Sequence, residues 1–200
     1  MIYSILSYGN PLLKKPTKDI DEKYNDLDTI IKNMWETMYN AKGVGLAAPQ
    51  IGFSISLFLV DGTPFVEDEN INESDKIQLK NLKKVIINPI LNDFGENWIF
   101  NEGCLSIPNV REDVLRKNSV KIKYYDQQFH FHEEVYSGLA ARIIQHEYDH
   151  LKGILFIDKL PQLKRQMIKG RLNKISKGKV ETDYQMKFYK GRWKKLAKNN

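Results

Sequence analysis

A metal-binding pattern stands in the run Gln145–His150, where two histidines lie four residues apart and a glutamate directly follows the first. On a helix, residues four apart share a face, so His146 and His150 can direct ring nitrogens at one metal ion. Glu147, one position further along, can then reach a water molecule on that ion. The pattern is typical of metal-dependent hydrolysis, and the alternative is two solvated histidines on a charged helix.

The residues around this pattern predict a packed helix. Leu139 and Ile143 continue the stripe of the two histidines, and a second apolar stripe runs beside the first. Ser137 is a suitable N-cap, and Gly153 is suitable for the position just after the last turn. Apolar residues on two sides indicate a buried helix, which favours the metal site over the solvated alternative.

A third metal ligand is needed, because two histidines leave a catalytic zinc or iron site one protein ligand short. The chain beyond His150 has no histidine, so the downstream ligand common in metalloproteases is not evident there. The only thiol belongs to Cys104, which lies in a turn bounded by glycine and proline. Cys104 is therefore the first candidate, although a free cysteine can also pack as a small apolar residue.

A competing pair of histidines lies in a predicted hairpin. His130 and His132 are two residues apart, so they project to one face of a strand. The alternation places Phe129 and Phe131 on the core face and leaves the histidines and Glu134 in solvent. We expect this pair to take no part in metal binding.

Hydrophobic spacing predicts the other elements, and turn residues mark their ends. They are a helix capped by Asn25 with an apolar face over 27–38, a buried strand over 55–60, strands over 84–91 and 98–100, a hairpin of 120–124 with 129–135, a helix begun by Pro161 with Leu163, Met167, Ile168, Leu172 and Ile175 on one face, and a closing strand over 184–188. The acidic stretch 66–76 lacks periodicity and is expected to be an exposed loop. The pattern predicts the α+β class, with antiparallel strands surrounding a central H-E-x-x-H helix, an N-terminal helix and a C-terminal helix.

Length and composition predict a single domain. The chain has 200 residues and is 42% hydrophobic, enough for one substantial core over 1–190, followed by a basic and flexible tail over 191–200. One cysteine excludes an intrachain disulfide and suits a reducing compartment. No run approaches the roughly 18 apolar residues of a membrane span, and the first residues do not resemble a signal peptide. We expect a soluble cytoplasmic protein that does not enter a membrane.

Positive charge is concentrated in the last part of the chain. From Pro161 onward there are thirteen Lys and Arg residues against two acids, while the whole chain has a net charge of +6. Such an asymmetry is common where a protein contacts nucleic acid or a membrane surface. The alternative is a solvated basic helix, and the sequence leaves both open.

Three segments together resemble the signature motifs of the peptide deformylase family, in the same order. They are Gly43–Gln50, Glu102–Pro108 and Gln145–His150, and the resemblance covers residues 1 to about 188. It implies a metal-dependent hydrolase that removes the formyl group, as formate, from the N-formyl-methionine of newly made polypeptides. It also implies that the basic C-terminal part contacts the ribosome.

The resemblance implies a role for each matching residue. Cys104, His146 and His150 would bind one divalent metal ion, and Glu147 would be the general base. Family members typically use Fe²⁺, for which Zn²⁺, Ni²⁺ or Co²⁺ can substitute, and no organic cofactor is implied.

The same resemblance implies residues that bind the substrate. The side-chain amide of Gln50 and the backbone N–H of Leu105 would donate hydrogen bonds to the formyl oxygen as it becomes negatively charged. Val44 and Gly45 would contact the substrate strand, and Ile143 would line the pocket for the methionine side chain.

Glu102 and Arg111 match positions that hold the site together, and we expect them to form a charged pair behind the metal ligands.

The sequence leaves two alternative functions. An H-E-x-x-H endopeptidase is disfavoured by the missing downstream ligand and by the presence of Cys104. A ribosome- or RNA-binding module with a structural metal would need a fourth protein ligand, and none is apparent in the sequence.

Overall fold

The structure is a computed structural model that describes residues 1–189, so the tail predicted over 191–200 lies outside the described residues. The α-helices of this range are α1 (Leu27–Asn40), α2 (Glu73–Lys80), α3 (Gly138–Leu151) and α4 (Gln162–Ser176). The strands are β1 (Ile5–Leu6), β2 (Gly45–Ala47), β3 (Leu57–Asp61), β4 (Lys83–Cys104), β5 (Ile107–Tyr125), β6 (Phe131–Ser137) and β7 (Met186–Lys187). Within these limits, no helix is long and apolar enough to cross a lipid bilayer.

Strands β2 to β6 form one antiparallel sheet in chain order, and β1 pairs with β7 in parallel. The segments predicted as separate strands over 84–91 and 98–100 are parts of the single long strand β4, whose pairing with β5 shifts register near Gly95. The pairing of these strands ends with Cys104 opposite Ile107, which places the cysteine at the tip of a long hairpin. The predicted α+β class, with an antiparallel sheet, is confirmed.

Helix α3 carries the two histidines, as the spacing predicted. It packs against β2, β3 and β5, and its side chains at Leu139, Ile143 and Ile144 are buried. The helix ends where predicted, because Gly153 adopts a left-handed φ of 71° that favours glycine. The N–H of Gly153 donates to the carbonyl of His150, which satisfies one of the last carbonyl groups of the helix.

The acidic stretch 66–76 is not entirely a loop, so this prediction was wrong in its last part. Asn72 accepts a hydrogen bond from the N–H of Asp75 and caps α2, whose Leu79 is fully buried. The side chain of Gln78 exchanges two hydrogen bonds of 2.8 Å with Ser137, one with its hydroxyl and one with its N–H. Helix α2 therefore holds the N-cap residue of α3.

The N-cap of the first helix lies one residue later in the chain than predicted. Asp26, and not Asn25, is the N-cap of α1, and its carbonyl accepts the N–H of Ile30. Asp26 has a φ of 59° and its side chain makes no capping bond within the described chain. Asparagine and aspartate are the non-glycine residues that most readily adopt this left-handed conformation, so the backbone turn decides the cap here.

Helix α4 is buried along a narrower face than predicted. Its N-cap is Pro161, but Leu163 and Met167 are 70% and 74% exposed. At about 100° per residue, these two positions lie well away from the face that packs inward. The residues that do pack inward are Ile168, Leu172 and Ile175.

The two faces of β6 are reversed from the prediction. Phe131 is 56% exposed, and Phe129 lies in the turn before the strand with a φ of 58°. Glu134 points inward because its carboxylate accepts hydrogen bonds from the hydroxyls of Tyr124 (2.9 Å) and Tyr136 (2.6 Å). Partnered polar groups can occupy an inner face that alternation alone would assign to apolar side chains.

We predict that Gln78→Ala lowers the free energy of unfolding by about 1–2 kcal/mol, because two hydrogen bonds to the start of α3 are lost. Urea denaturation followed by circular dichroism measures this difference. Lys80→Ala, at an exposed position of the same helix, is the control and should change stability little. Equal stability of both variants would contradict the role of Gln78 in holding Ser137, the N-cap of α3.

Candidate active site

The three predicted metal ligands converge in the structure. Helix α3 supplies His146 and His150 from one face, and the tip of the β4–β5 hairpin supplies Cys104. One donor atom from each residue lies within 4.8 Å of the other two, and Cys104 Sγ is 3.3 Å from His150 Nε2. His130, which is exposed, and His132, which is partly buried, lie elsewhere, near Asp126, and are not part of this cluster.

The ring of His146 is oriented by a buried carboxylate. Its Nδ1 lies 3.0 Å from Glu102 Oε2, which leaves Nε2 for the cysteine side of the cluster. Burial alone would raise the pKa of Glu102, but hydrogen bonds from His146 and Arg116 outweigh it and hold this pKa far below its usual value. Glu102 therefore stays ionised, as a ligand-orienting carboxylate should.

The charge partners of Glu102 differ from the prediction. Arg111 is exposed and donates to Asn101 instead, at 2.9 Å to the side chain and 2.6 Å to the carbonyl. Arg116 binds Glu102 with two nitrogens, at 2.6 and 3.0 Å, and Arg142 binds it at 2.7 Å. Arg111 points away because it faces the opposite side of the hairpin from Glu102.

Arg116 and Arg142 are partners of Glu102 that the sequence analysis did not assign. Arg142 lies four residues before His146, so helical spacing could have placed it beside the metal ligands. Arg116 could not be found this way, because it reaches Glu102 through the register of the β4–β5 hairpin. Arg116 also donates to Asp149 on α3, so it ties the hairpin to the helix.

Glu147 is buried in a different environment from Glu102. Its Oε2 has no hydrogen-bond partner within residues 1–189, although the atom is fully buried. Burial raises the pKa of Glu147 to about 7. A carboxyl group with this pKa can both take and give a proton near neutral pH, which suits a general acid and base.

The donor set fits a divalent transition metal ion. One thiol and two imidazoles match the soft and intermediate ligands that iron, zinc, nickel and cobalt accept. Burial lowers the pKa of His150, which keeps its ring in the neutral form that binds metals. Three protein ligands leave a further position open, as in catalytic sites and unlike closed structural ones.

Gln50 lies beside the cluster and is oriented from both ends of its amide. Its Oε1 accepts the N–H of Ala47 at 2.8 Å, which directs Nε2 the other way. Nε2 lies 3.2 Å from Ser106 Oγ and 3.6 Å from Cys104 Sγ. The amide hydrogens therefore face the cluster of Cys104 and the two histidines, where a substrate oxygen could accept one of them.

A cavity of about 530 Å³ opens onto the cluster. Its apolar part includes Leu139, Ile143 and Phe100, near the predicted substrate contacts at and just before the start of β2. Of the eleven residues predicted for the site, His150 alone does not line this cavity, and it lies beneath it with 1% exposure. The ten that do are Val44, Gly45, Gln50, Glu102, Cys104, Leu105, Arg111, Ile143, His146 and Glu147.

Known proteins are similar to this chain in sequence and in structure. The family model described as polypeptide deformylase matches residues 2–166. The chain belongs to the peptide deformylase family. The peptide deformylase of Christiangramia forsetii is 56% identical over 189 residues, covering 94% of this chain and 96% of that protein. That of Flavobacterium psychrophilum is 51% identical over 188 residues, covering 94% and 97%.

Solved structures agree with the sequence comparison. A crystal structure of a peptide deformylase from Legionella pneumophila superimposes with a TM-score of 0.73 at 37% identity, covering 87% of this chain and 95% of that one. The function implied by the sequence is confirmed at the level of the family: the chain is a hydrolase of the family that removes formyl groups from nascent polypeptides.

We predict that Gly45→Ala reduces deformylase activity by at least about 10-fold, because a Cβ at this position would overlap the carboxylate of Glu147. The value of kcat/KM on a formyl-Met peptide measures the loss. Gly170→Ala is the matched control, since nothing lies within 4 Å of its added Cβ and activity should be unchanged. Equal activity of the two variants would show that Glu147 can move without consequence.

Proposed function

We propose that the cavity holds one divalent metal ion on Cys104 Sγ and on a ring nitrogen of each of His146 and His150. The observation that carries this proposal is the convergence of three donors beside a buried, unpartnered carboxylate oxygen of Glu147. Fe²⁺ is the ion we expect in the cell, with Zn²⁺, Ni²⁺ or Co²⁺ able to substitute. The strands that surround α3 are, in this proposal, the frame that holds its histidines.

A divalent ion bound there supplies Lewis-acid chemistry, which lowers the pKa of water toward neutrality. Glu147 takes a proton from a water molecule while the oxygen of that water attacks the formyl carbon. When the bond between the formyl carbon and the amide nitrogen breaks, Glu147 passes that proton to the nitrogen. The products are formate and a polypeptide with a free amino terminus.

Two groups stabilise the formyl oxygen as negative charge develops on it. Gln50 offers an N–H of its side-chain amide, and Leu105 offers its backbone N–H from the hairpin tip. These donors come from separate elements, so their spacing depends on how the tip packs against the segment that follows β2. A donor of this kind commonly contributes about 10²-fold or more to kcat.

The substrate binds along the edge of the sheet. β2 is the first strand in the sheet order, so one of its edges is open to an extended peptide near Val44 and Gly45. The methionine side chain then enters the apolar part of the cavity at Ile143. An apolar pocket of this kind selects a methionine side chain mainly through buried area and shape.

We predict that Glu147→Gln retains bound metal but loses about 10²-fold or more in kcat, because an amide cannot accept the proton of water. Metal content and turnover of formyl-Met and acetyl-Met peptides are measured on protein purified without oxygen, with cleavage of an internal peptide bond tested in parallel. Glu133→Gln changes an exposed glutamate of β6 in the same way and should retain activity.

Normal turnover by metal-loaded Glu147→Gln would exclude Glu147 as the base. Cleavage of internal peptide bonds by the unmodified protein, without deformylation, would favour an endopeptidase instead. Elemental analysis of the same samples identifies the ion that the protein binds.

We also propose that the protein acts in the cytoplasm and that its basic C-terminal part contacts the ribosome. Exposed basic residues of α4, including Arg165, Lys169 and Arg171, support this contact because ribosomal RNA presents a dense array of phosphates. These residues lie outside the cavity, so ribosome binding and peptide turnover should be separable.

We predict that Lys169→Glu combined with Arg171→Glu weakens ribosome binding and flattens its dependence on salt, because phosphate contacts are lost. Sedimentation with ribosomes over a salt series measures this effect. Lys18→Glu combined with Lys23→Glu reverses two exposed charges elsewhere and is the control. Turnover of a short formyl-Met peptide should stay unchanged in both. Unaltered ribosome affinity at low salt would mean that the basic face of α4 is only solvated.

A further inference from the structure

The chain returns to the active site after the segment that the family model matches. The family model ends at residue 166, within α4, and the described chain continues to residue 189. Strand β7 anchors this continuation by pairing with β1, and its Met186 is 2% exposed. The segment just before β7 is thereby held against the body of the protein.

Residues 181–184 of this segment line the same cavity as Cys104 and Glu147. Two hydrogen bonds tie the segment to the β4–β5 hairpin. Asn109 Nδ2 donates to the carbonyl of Glu181 at 3.2 Å. The hydroxyl of Tyr184 donates to the carbonyl of Leu105 at 2.7 Å, and the side chain of Tyr184 is half-buried.

The bond from Tyr184 reaches the residue whose N–H is assigned to the formyl oxygen. Leu105 and Ser106 are the two residues between β4 and β5, at the tip that follows Cys104. Ser106 is held by the N–H of Tyr8, which donates to its carbonyl at 2.8 Å, and by the amide of Gln50. Tyr184 supplies the corresponding restraint at Leu105.

We propose that Tyr184 is a positioning residue for deformylation, which holds Leu105 so that its N–H meets the developing charge on the formyl oxygen. This inference rests on the proposed role of Leu105. A backbone donor is effective only when its position is set before the reaction, because a shift of about 1 Å can cost about 10²-fold in rate. The C-terminal segment therefore completes the active site.

The test is Tyr184→Phe, which keeps the ring and removes only the hydroxyl. We expect kcat to fall about 10-fold with KM, bound metal and melting temperature close to those of the control. The matched control is Tyr136→Phe on the far strand β6. It removes the hydrogen bond that the hydroxyl of a buried tyrosine donates to Glu134. Its kcat should equal that of the unmodified protein.

Two substrates separate positioning from binding. Formyl-Met amide ends at the methionine, whereas formyl-Met-Ala-Ser extends past it toward the rim of the cavity. Since the formyl oxygen is common to both, Tyr184→Phe should lower kcat by the same factor for each. A rise in KM confined to the longer peptide would overturn the proposal and make Tyr184 a substrate contact.

Other results would also overturn it. An unchanged kcat in Tyr184→Phe, with an active unmodified protein, would reject the positioning role alone. Loss of metal together with activity would mean that Tyr184 acts on Cys104 and not through Leu105. An unmodified protein that binds metal but does not deformylate either substrate would reject the proposed function as well, which distinguishes the two failures.

Discussion

The ionised carboxylate of Glu102 is the interaction on which the rest of the site depends. It is buried, and a buried charge is tolerated only when it is paired and hydrogen-bonded. Arg116 from β5, Arg142 from α3 and His146 from α3 satisfy it together. Removing one partner from a buried ion pair typically costs about 3–5 kcal/mol, so the hairpin and the helix cannot shift independently. This constraint sets the distance between Cys104 and the two histidines.

Glu147 is the second buried carboxylate of the site. Its surroundings differ from those of Glu102, although it is only one residue from His146. Its buried oxygen has no partner within the described residues, so burial raises its pKa to about 7, whereas the pKa of Glu102 is held low. Two carboxylates in one site thus differ in charge because their surroundings differ. In the proposed function, the group that stays ionised orients His146 and the other transfers the proton.

Two segments that lie outside the cluster make hydrogen bonds to the elements that form it. Helix α2 holds the beginning of α3 through Gln78 and Ser137, and the segment before β7 reaches the hairpin tip through Tyr184. The sequence pattern assigned neither segment to the active site. Their contacts act on the helix and the hairpin that carry His146, His150 and Cys104, so the geometry of this cluster depends on residues outside it.

The sequence by itself determined the features that depend on local spacing. The positions of His146 and His150 on one helix face follow from a separation of four residues, and the helix around them follows from its apolar stripes and Gly153. Only the tertiary structure decided which arginines meet Glu102, because Arg116 and Arg111 differ in the hairpin face they occupy. It also decided that Glu134 faces inward. Such contacts join residues that are distant in the chain, and they depend on strand register and on the partners each buried polar group finds, which local periodicity does not contain.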